Sequence, residues 1–389
     1  MINKPPRIVI LAASCMAIFW PGTLIFGFPG VMGQHWQMLF DIGRSEVGRI
    51  LFFILVPVGC FMFFFGKLLE RWSPGKLIAI GSLLSFGSTI LLPFAASFTG
   101  VYIWAFMLGS STALIYLTGL TVTQYWYPDR RGLISGIYNL SFGGSAALLS
   151  PVYSWLLIDL GYTRVTFGAA ICVLFFGLVS TFFISFPQQK DISSPNQSAS
   201  LSNILPNSMT VVEALKTRSF WLLWLTWAFA GAAGISMVML SIAYGKARGL
   251  SLQEAVLLLT AFNLTNGASR LISGYVSDLI GRRVTLALSF LAAGGAYLIM
   301  DRTGSPIVWV VLSATIGYAF GTLFSVSAPL IGDCFGMDHF GAIIGVVFTA
   351  YGFISGVIGP WLTGYLLDIT GGNFGAIFGY LGSLYMMDS

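Results

Sequence analysis

The chain has 389 residues, of which 56% are apolar and 8% charged, and its formal net charge is +5. Globular proteins carry about 25% charged residues, so this composition excludes an ordinary soluble domain and indicates a protein embedded in lipid. The basic residues lie in short loops between apolar stretches and form no cluster, which excludes a nucleic-acid-binding surface.

Apolar stretches of about 20 residues, enough to cross a hydrocarbon core of about 30 Å, recur along the whole chain. The first stretch follows Lys4 and Arg7 and is too long for the apolar part of a signal peptide, so we predict an uncleaved first helix. The first half contains six predicted membrane-spanning segments, at 8–32, 47–65, 77–96, 100–126, 132–158 and 165–186.

A polar stretch from Pro187 to about Lys216 is rich in Ser, Asn, Gln and Pro, a composition typical of a flexible linker. The segments predicted after it lie near 219–244, 252–276, 284–300, 306–334, 341–366 and 374–387. The last is shorter than the usual 17 to 25 residues, so a truncated last helix is an alternative that the sequence leaves open. The predicted organisation is a six-helix bundle at 1–186, a cytoplasmic linker at 187–217 and a second six-helix bundle at 218–389.

The basic residues in the loops predict the orientation. Twelve of them fall on the same side as the N-terminus and six on the opposite side. Cytoplasmic loops of membrane proteins carry the excess of Lys and Arg. We therefore expect a multi-pass protein of the plasma (inner) membrane with a cytoplasmic N-terminus.

The two halves of the chain are repeats of each other. Gly66 and Glu70 match Gly274 and Asp278 at an offset of 208 residues. A longer series matches at an offset of 209: Asp129, Gly132, Gly136, Gly143, Pro151 and Asp159 with Asp338, Gly341, Gly345, Gly352, Pro360 and Asp368. The glycines allow close helix contact, and the two prolines are expected to weaken their helices locally.

The stretch Gly274-Tyr-Val-Ser-Asp278-Leu-Ile-Gly281-Arg282-Arg283 resembles the signature loop of the major facilitator superfamily. Its counterpart, Gly66-Lys-Leu-Leu-Glu70-Arg71, has Glu where that loop usually has Asp. This resemblance implies an all-α membrane protein with twelve transmembrane helices in two pseudo-symmetric six-helix bundles. It also implies transport by alternating access.

A carboxylate and arginines at adjoining helix ends can form charge-assisted contacts that hold one alternating-access conformation. Ordinary cytoplasmic charges would explain the arginines, but not the same spacing from Gly to acid in both halves. The residues predicted to form this gate are Gly66, Glu70, Arg71, Asp129, Arg130, Arg131, Gly274, Asp278, Arg282 and Arg283.

All charged residues except Arg270 can be placed in loops or at the ends of predicted segments. Arg270 lies six residues from the predicted end of the eighth segment, about 9 Å deep at 1.5 Å per residue. An Arg at the centre of a membrane helix costs about 2.5–3.5 kcal/mol, and no acidic residue is available at that depth. The hypothesis is that a substrate carboxylate is its counter-ion, with Asn266 and Asn263 on the same helix face. The alternative is that Arg270 reaches toward the cytoplasm or bonds to backbone carbonyl groups.

Within the superfamily, the run from Trp126 to Gly136, which reads WYPDRRGLISG, resembles the oxalate/formate antiporter and monocarboxylate transporter families. In those families an Arg in the eighth segment is the usual carboxylate binder, a position that matches Arg270. Oxalate carriers pair it with a Lys in the eleventh segment, where this chain has Tyr351. The resemblance therefore favours a monocarboxylate such as lactate, pyruvate or formate. The alternatives are an oxalate/formate-type dicarboxylate exchanger and a carrier of a neutral solute.

Proton-coupled relatives often have an acidic residue at the position of Asn266, which cannot titrate. Exchange or facilitated transport is thus favoured over proton symport, with protons or a counter-anion as the alternative coupling partners.

The aromatic residues expected to line the substrate cavity are Tyr116, Phe142, Tyr318, Phe324 and Tyr351. We predict no enzymatic activity, metal or cofactor, and we expect a monomer. A receptor, the other class considered, would show no net flux.

Overall fold

The computed structural model describes residues 6–42, 44–187 and 208–388, and every regular element within these ranges is helical. In chain order the α-helices of the first half are α1 (Arg7–Phe26), α2 (Phe28–Phe40), α3 (Arg44–Leu69), α4 (Pro74–Leu91), α5 (Phe98–Trp126), α6 (Arg131–Leu160) and α7 (Tyr162–Thr181). Those of the second half are α8 (Val211–Leu215), α9 (Arg218–Ala247), α10 (Leu252–Ile280), α11 (Arg282–Met300), α12 (Pro306–Phe335), α13 (Phe340–Thr349), α14 (Leu362–Ile369) and α15 (Phe374–Met387).

Ten helical stretches in the described ranges are long and apolar enough to cross a membrane, and α15 is a shorter apolar helix. The long helix α10 is not among the ten. It is the one that carries Asn263, Asn266 and Arg270 within its length. Counting α10 and α15, the predicted all-α membrane fold is confirmed.

The first membrane segment differs from its prediction, since the sequence suggested one continuous helix over 8–32. The structure has two helices, α1 and α2, separated at Gly27. Pro29 lies in the first turn of α2, where a proline is tolerated because its missing N–H needs no partner. The same ring disfavours a continuous helix through this point, and α2 then continues to Phe40.

Helices of the two halves meet along two extended contacts, which we call the α6/α10 seam and the α3/α13 seam. In the α6/α10 seam, a Cβ atom added to Gly132 would clash with the backbone oxygen of Gly274. In the α3/α13 seam, a Cβ at Gly66 would clash with the backbone of Gly341. These two glycine pairs are related by the repeat offsets, so the sequence repeat produces equivalent close contacts on both sides of the molecule.

The eleventh segment is interrupted between α13 and α14. Residues Ala350–Ser355 and Val357–Trp361 are wound as π-helix, and Gly359 has a non-helical backbone (φ −85°, ψ −105°) just before Pro360. The Ser355 hydroxyl donates to the backbone oxygens of Trp227 at 2.8 Å and Ala228 at 3.1 Å, which ties this segment to α9. The matching Pro151 lies within α6.

The predicted linker is described only from residue 208 onward, and 188–207 lie outside the described residues. The C-terminal end of the predicted linker is helical and not flexible coil, because α8 forms there. The Thr210 hydroxyl accepts a hydrogen bond from the backbone N–H of Glu213, and the Glu213 carboxylate accepts one from the backbone N–H of Thr210. The backbone N–H of Met209 also donates to the Phe335 oxygen at 2.9 Å, which attaches this segment to the end of α12.

Candidate functional site

Arg270 lies farther from the end of its helix than the sequence suggested. Helix α10 continues to Ile280 rather than ending near 276, so Arg270 is ten residues from its end, about 15 Å along the axis. Its side chain is fully buried. The distance of Arg270 from the end of its helix is therefore corrected from about 9 Å, and its position inside the membrane stays a prediction.

The Arg270 guanidinium contacts three neighbouring groups. Its Nε donates to the Asn266 Oδ1 at 3.3 Å, and its Nη1 donates to the backbone oxygen of Asn139 at 3.0 Å. The ring of Phe324 lies with its centroid 4.6 Å from Cζ, within the range of a cation–π contact. Among the described residues, no carboxylate oxygen lies within 4.0 Å of Arg270. A neutral amide, a backbone oxygen and an aromatic ring surround this charge.

A layer of aromatic side chains adjoins Arg270. Tyr116 packs against Phe142 with ring centroids 5.2 Å apart, and Phe324 packs against Tyr351 at 5.7 Å. Phe348 links the two pairs, because its ring lies 5.9 Å from Tyr116 and 6.3 Å from Tyr351. These rings come from α5, α6, α12 and the eleventh segment, so both halves of the chain build the layer.

This aromatic layer borders a central cavity of about 50 Å³ that is lined by side chains of both halves. Ile25 lines the cavity and lies eighteen residues from Arg7, the start of α1. Leu51 also lines it and lies eighteen residues from Leu69, the end of α3. Each distance corresponds to about 27 Å along the helix axis. Arg270 is only about 15 Å from the equivalent end of α10. Met62 also lines the cavity and lies only seven residues, about 10 Å, from Leu69, so the cavity spans the level of Arg270 and continues toward the opposite end of the bundles.

A second cavity, of about 520 Å³, lies between α9, α11 and α12 beside the end of α15. Its lining includes Arg218, Arg283 and Asp388 among apolar side chains, and none of the residues predicted to bind substrate. The central cavity is smaller, and Arg270 is not among its lining residues. It is the candidate site because Phe324, which lines it, contacts the Arg270 guanidinium. In the part of the chain that the structure describes, no group of His, Cys, Asp or Glu residues is arranged to hold a metal ion.

Most of the residues predicted to bind substrate are brought together. Tyr116, Phe142, Phe324 and Tyr351 line the central cavity, and Asn266 bonds Arg270. Two predicted residues lie apart from this group. Asn263 is exposed and makes none of the hydrogen bonds around Arg270, and Tyr318 is half-buried on α12 outside the cavity lining.

Sequence reasoning missed Asn139, which is fully buried in α6. Its Oδ1 accepts from the Tyr116 hydroxyl at 2.9 Å, and its Nδ2 donates to the Ser135 oxygen at 2.9 Å and to the Phe324 oxygen at 3.4 Å. The sequence did contain a signal for this residue, because Asn139 is an amide side chain inside an apolar segment. It lies one turn after Gly136 and one turn before Gly143. The contacts themselves join three helices and cannot be inferred from spacing.

One end of the bundles is sealed by polar contacts between the two halves, and we call this end the closed face. It is formed by the ends of α3, α5, α10 and α12 and the starts of α6 and α13. The Asp278 carboxylate accepts from the backbone N–H groups of Gly132 at 3.2 Å and Leu133 at 3.0 Å, and it pairs with Arg282. Those N–H groups belong to the first turn of α6, where the helix dipole also favours a negative charge.

A second set of contacts on the closed face involves the corresponding acid in the first half. Glu70 pairs with the Nδ1 of His339 at 3.0 Å across the two halves, and with Lys67 at 3.1 Å on its own helix. Burial acts to raise the pKa of Glu70, but the hydrogen bonds with His339 and Lys67 outweigh it and the pKa is lowered. The Tyr125 hydroxyl also donates to the Met337 oxygen at 2.6 Å.

The other predicted gate residues divide into two groups. Arg131 lies 3.6 Å from Asp333, which also accepts from the Nε of Arg282 at 3.2 Å. Asp333 was not predicted, because it is a single carboxylate near a segment end and has no repeat counterpart. Of the remaining predicted residues, Arg71, Asp129 and Arg130 are exposed, and Arg283 lines the larger cavity.

Comparison with known proteins identifies the family. The family model described as Major Facilitator Superfamily matches residues 8–258 and 228–387. The chain is 24% identical over 306 residues to the oxalate:formate antiporter of Oxalobacter formigenes, which covers 70% of this chain and 70% of that protein. It is 22% identical over 386 residues to monocarboxylate transporter 13 of Rattus norvegicus, covering 96% and 86%. The crystal structure of FucP, a transporter of this superfamily in the outward conformation, matches with a TM-score of 0.71 at 17% identity over 98% of both chains. The chain therefore belongs to the Major Facilitator Superfamily and is a membrane transporter.

Proposed function

We propose that the chain transports small organic anions, and most specifically monocarboxylates such as lactate, pyruvate or formate. The observation that carries this proposal is the fully buried Arg270, which has no carboxylate within 4.0 Å among the described residues. A planar guanidinium binds a carboxylate through two parallel hydrogen bonds. The substrate then supplies the negative charge that the membrane interior otherwise lacks.

The surroundings of Arg270 favour a small acid with an apolar part. Phe142, Phe324 and Phe348 offer apolar surfaces at the floor of the central cavity, with the tyrosines Tyr116 and Tyr351 among them. A cavity of about 50 Å³ favours a substrate of a few heavy atoms. Tyr351 stands where a second positive charge would be needed for a dianion, so a single fixed charge supports monocarboxylate over oxalate.

The relatives support the same class of substrate. One is named an oxalate:formate antiporter and another a monocarboxylate transporter, although each is below 25% identical to this chain. We propose further that the closed face is cytoplasmic, since it carries the larger share of basic loop residues. Transport then requires the two bundles to rock, so that the contacts of Asp278 and Glu70 break while the opposite end closes.

The test is uptake of labelled lactate, formate and oxalate into proteoliposomes that contain the wild type or Arg270→Gln at equal reconstitution. Gln keeps hydrogen-bonding groups but removes the charge. We expect lactate and formate uptake to fall more than about tenfold, because a hydrogen bond to a charged group is worth about that factor. The matched control is Arg164→Gln, which removes an exposed arginine outside the site.

Unchanged uptake in Arg270→Gln would mean that Arg270 is structural, and the organic-anion assignment would lose its main support. Faster uptake of oxalate than of lactate by the wild type would instead favour the dicarboxylate exchanger. Uptake of a neutral solute in place of all three acids would favour the neutral-solute carrier.

A further inference from the structure

Helix α6 forms a cradle for the Arg270 guanidinium, although α6 and α10 belong to opposite halves of the chain. A Cβ atom added to Gly143 would lie 2.7 Å from Cζ, 2.8 Å from Nη1 and 3.0 Å from Nε of Arg270. Only glycine therefore lets the guanidinium lie this close to the α6 backbone. One turn earlier, the backbone oxygen of Asn139 accepts from Nη1 at 3.0 Å.

The Asn139 side chain fixes the position of this cradle. Its amide group bonds the Tyr116 hydroxyl on α5, the Ser135 oxygen on α6 and the Phe324 oxygen on α12. Asn139 thus joins three helices from both halves at the level where Arg270 is held. It touches Arg270 only through its backbone oxygen, so it is a positioning residue.

The hydrogen bond between Arg270 and Asn139 crosses from one bundle to the other. A buried guanidinium requires acceptors, because an unpaired charge in a low-dielectric interior is costly. When the closed face opens, α6 and α10 must separate along the α6/α10 seam. Separation removes the Asn139 oxygen from Arg270 and leaves Asn266 as the one other hydrogen-bonding partner recorded in the described part of the chain.

We propose that this bond is a latch that holds the closed-face conformation of the carrier when no substrate is bound. The inference rests on the proposed function, since the carboxylate that releases the latch is the substrate. A carboxylate offers two charged acceptor oxygens and replaces the neutral backbone oxygen, so the loaded carrier can open its closed face without leaving Arg270 unpaired. The empty carrier must open with Asn266 as the one remaining hydrogen-bonding partner recorded among the described residues, so exchange of one acid for another is faster than net flux.

The experiment compares two rates on the same proteoliposomes loaded with labelled lactate. Efflux into buffer with unlabelled lactate measures exchange, and efflux into buffer without it measures net flux. For the wild type we expect exchange to be about tenfold faster or more, the factor expected for one hydrogen bond to a charged group. Because both rates come from one preparation, their ratio does not depend on the amount of folded protein.

Gly143→Ala should displace the guanidinium from α6 and weaken the latch, so the ratio of exchange to net flux should fall below that of the wild type. The matched control is Gly144→Ala on the same helix, where the added Cβ meets the flexible end of Leu140 at 3.2 Å and does not approach Arg270. Its ratio should equal that of the wild type.

Three results would overturn the latch. The first is equal exchange and net flux in the wild type, which needs no variant to fold. The second is a Gly143→Ala protein in which both rates fall by the same factor, the behaviour of a purely structural defect. The third is a wild type that moves no carboxylate in either mode, and this result alone would also overturn the proposed function.

Discussion

Replacement of Asp278 by Asn should open the closed face. The Asp278 carboxylate accepts the backbone N–H groups of Gly132 and Leu133 from the opposite half, and it pairs with Arg282 on its own half. Asn keeps one acceptor oxygen but removes the charge, and its NH₂ group cannot accept from the second N–H. Arg282 keeps Asp333 as a partner at 3.2 Å, so the loss is concentrated in the contact between the halves.

The magnitude follows from these contacts. A hydrogen bond to a charged group is worth about 1.5–3 kcal/mol, and one such bond is lost. The Asp278 side chain is 19% exposed, so solvent screening places the cost near the lower end, at about 1.5 kcal/mol. That free energy shifts the equilibrium between the closed and open face by about tenfold.

Double electron–electron resonance would measure this shift as a change in the distance between spin labels attached at Arg130→Cys and Asp338→Cys. Both residues are exposed on the closed face, in opposite halves of the chain. The background must lack the four native cysteines, Cys15, Cys60, Cys172 and Cys334. We expect Asp278→Asn to increase the population at the longer label distance, while the control Asp159→Asn, an exposed carboxylate at the far end of α6, leaves the distribution unchanged.

An unchanged distance distribution in Asp278→Asn would refute the reasoning, because the charge would then contribute nothing to closure. A loss of the short distance in both variants would point to a general effect of removing acidic groups. Either outcome would leave the glycine contacts of the seams and the other polar contacts, such as Glu70 with His339 and Arg131 with Asp333, as the basis of the closed face.

Two further predictions concern the first-half side of the closed face. Gly66→Ala should shift the same distance distribution toward the open face, because its Cβ would clash with the backbone of Gly341. The control Gly168→Ala, whose Cβ meets no atom within 4 Å, should leave the distribution unchanged. As the pH falls below about 4.5, the ordinary value of this carboxyl, the contribution of the Glu70 contact should be lost while the pH passes through the lowered pKa of Glu70. Glu70→Gln should lack this acid-dependent component in a pH series of the distance measurement.

The comparison variant for each measurement tests a specific alternative. A shift in Gly168→Ala equal to that in Gly66→Ala would show that alanine acts through helix propensity and not through the α3/α13 contact. Identical pH curves for the wild type and Glu70→Gln would show that protonation of Glu70 does not control the opening of the closed face at acid pH.

The membrane fold could be predicted from the sequence because hydropathy is a local property. Each of the long apolar stretches reports its own transfer free energy, independent of the others. Arg270 stood out for the same reason, since one charge in an apolar segment is visible without its neighbours. The predicted ends of the helices were less accurate than their existence. Helix α10 extends to Ile280, and the first segment divides at Gly27, just before Pro29, whose ring disfavours a continuous helix.

The repeat placed equivalent glycines in the two halves but did not show which of them meet. The contacts of Gly66 with Gly341 and of Gly132 with Gly274, which the structure shows, are related by the repeat offsets. The acids that match across the repeat are not equivalent in their partners. Asp278 binds backbone N–H groups, whereas Glu70 binds the side chain of His339. The repeat in the sequence predicted the positions of these two acids. The groups that surround each acid in the folded protein determine its hydrogen-bonding partner.

The sequence by itself determined that the chain crosses a membrane in two related halves, and that one buried charge, Arg270, requires a partner. Only the tertiary structure decided which partner it has. Asn139 is 131 residues away in the chain, and the backbone groups bound by Asp278 are about as distant. Such contacts depend on how helices from the two halves are packed, a property of the whole assembly that no local pattern of hydropathy or spacing encodes.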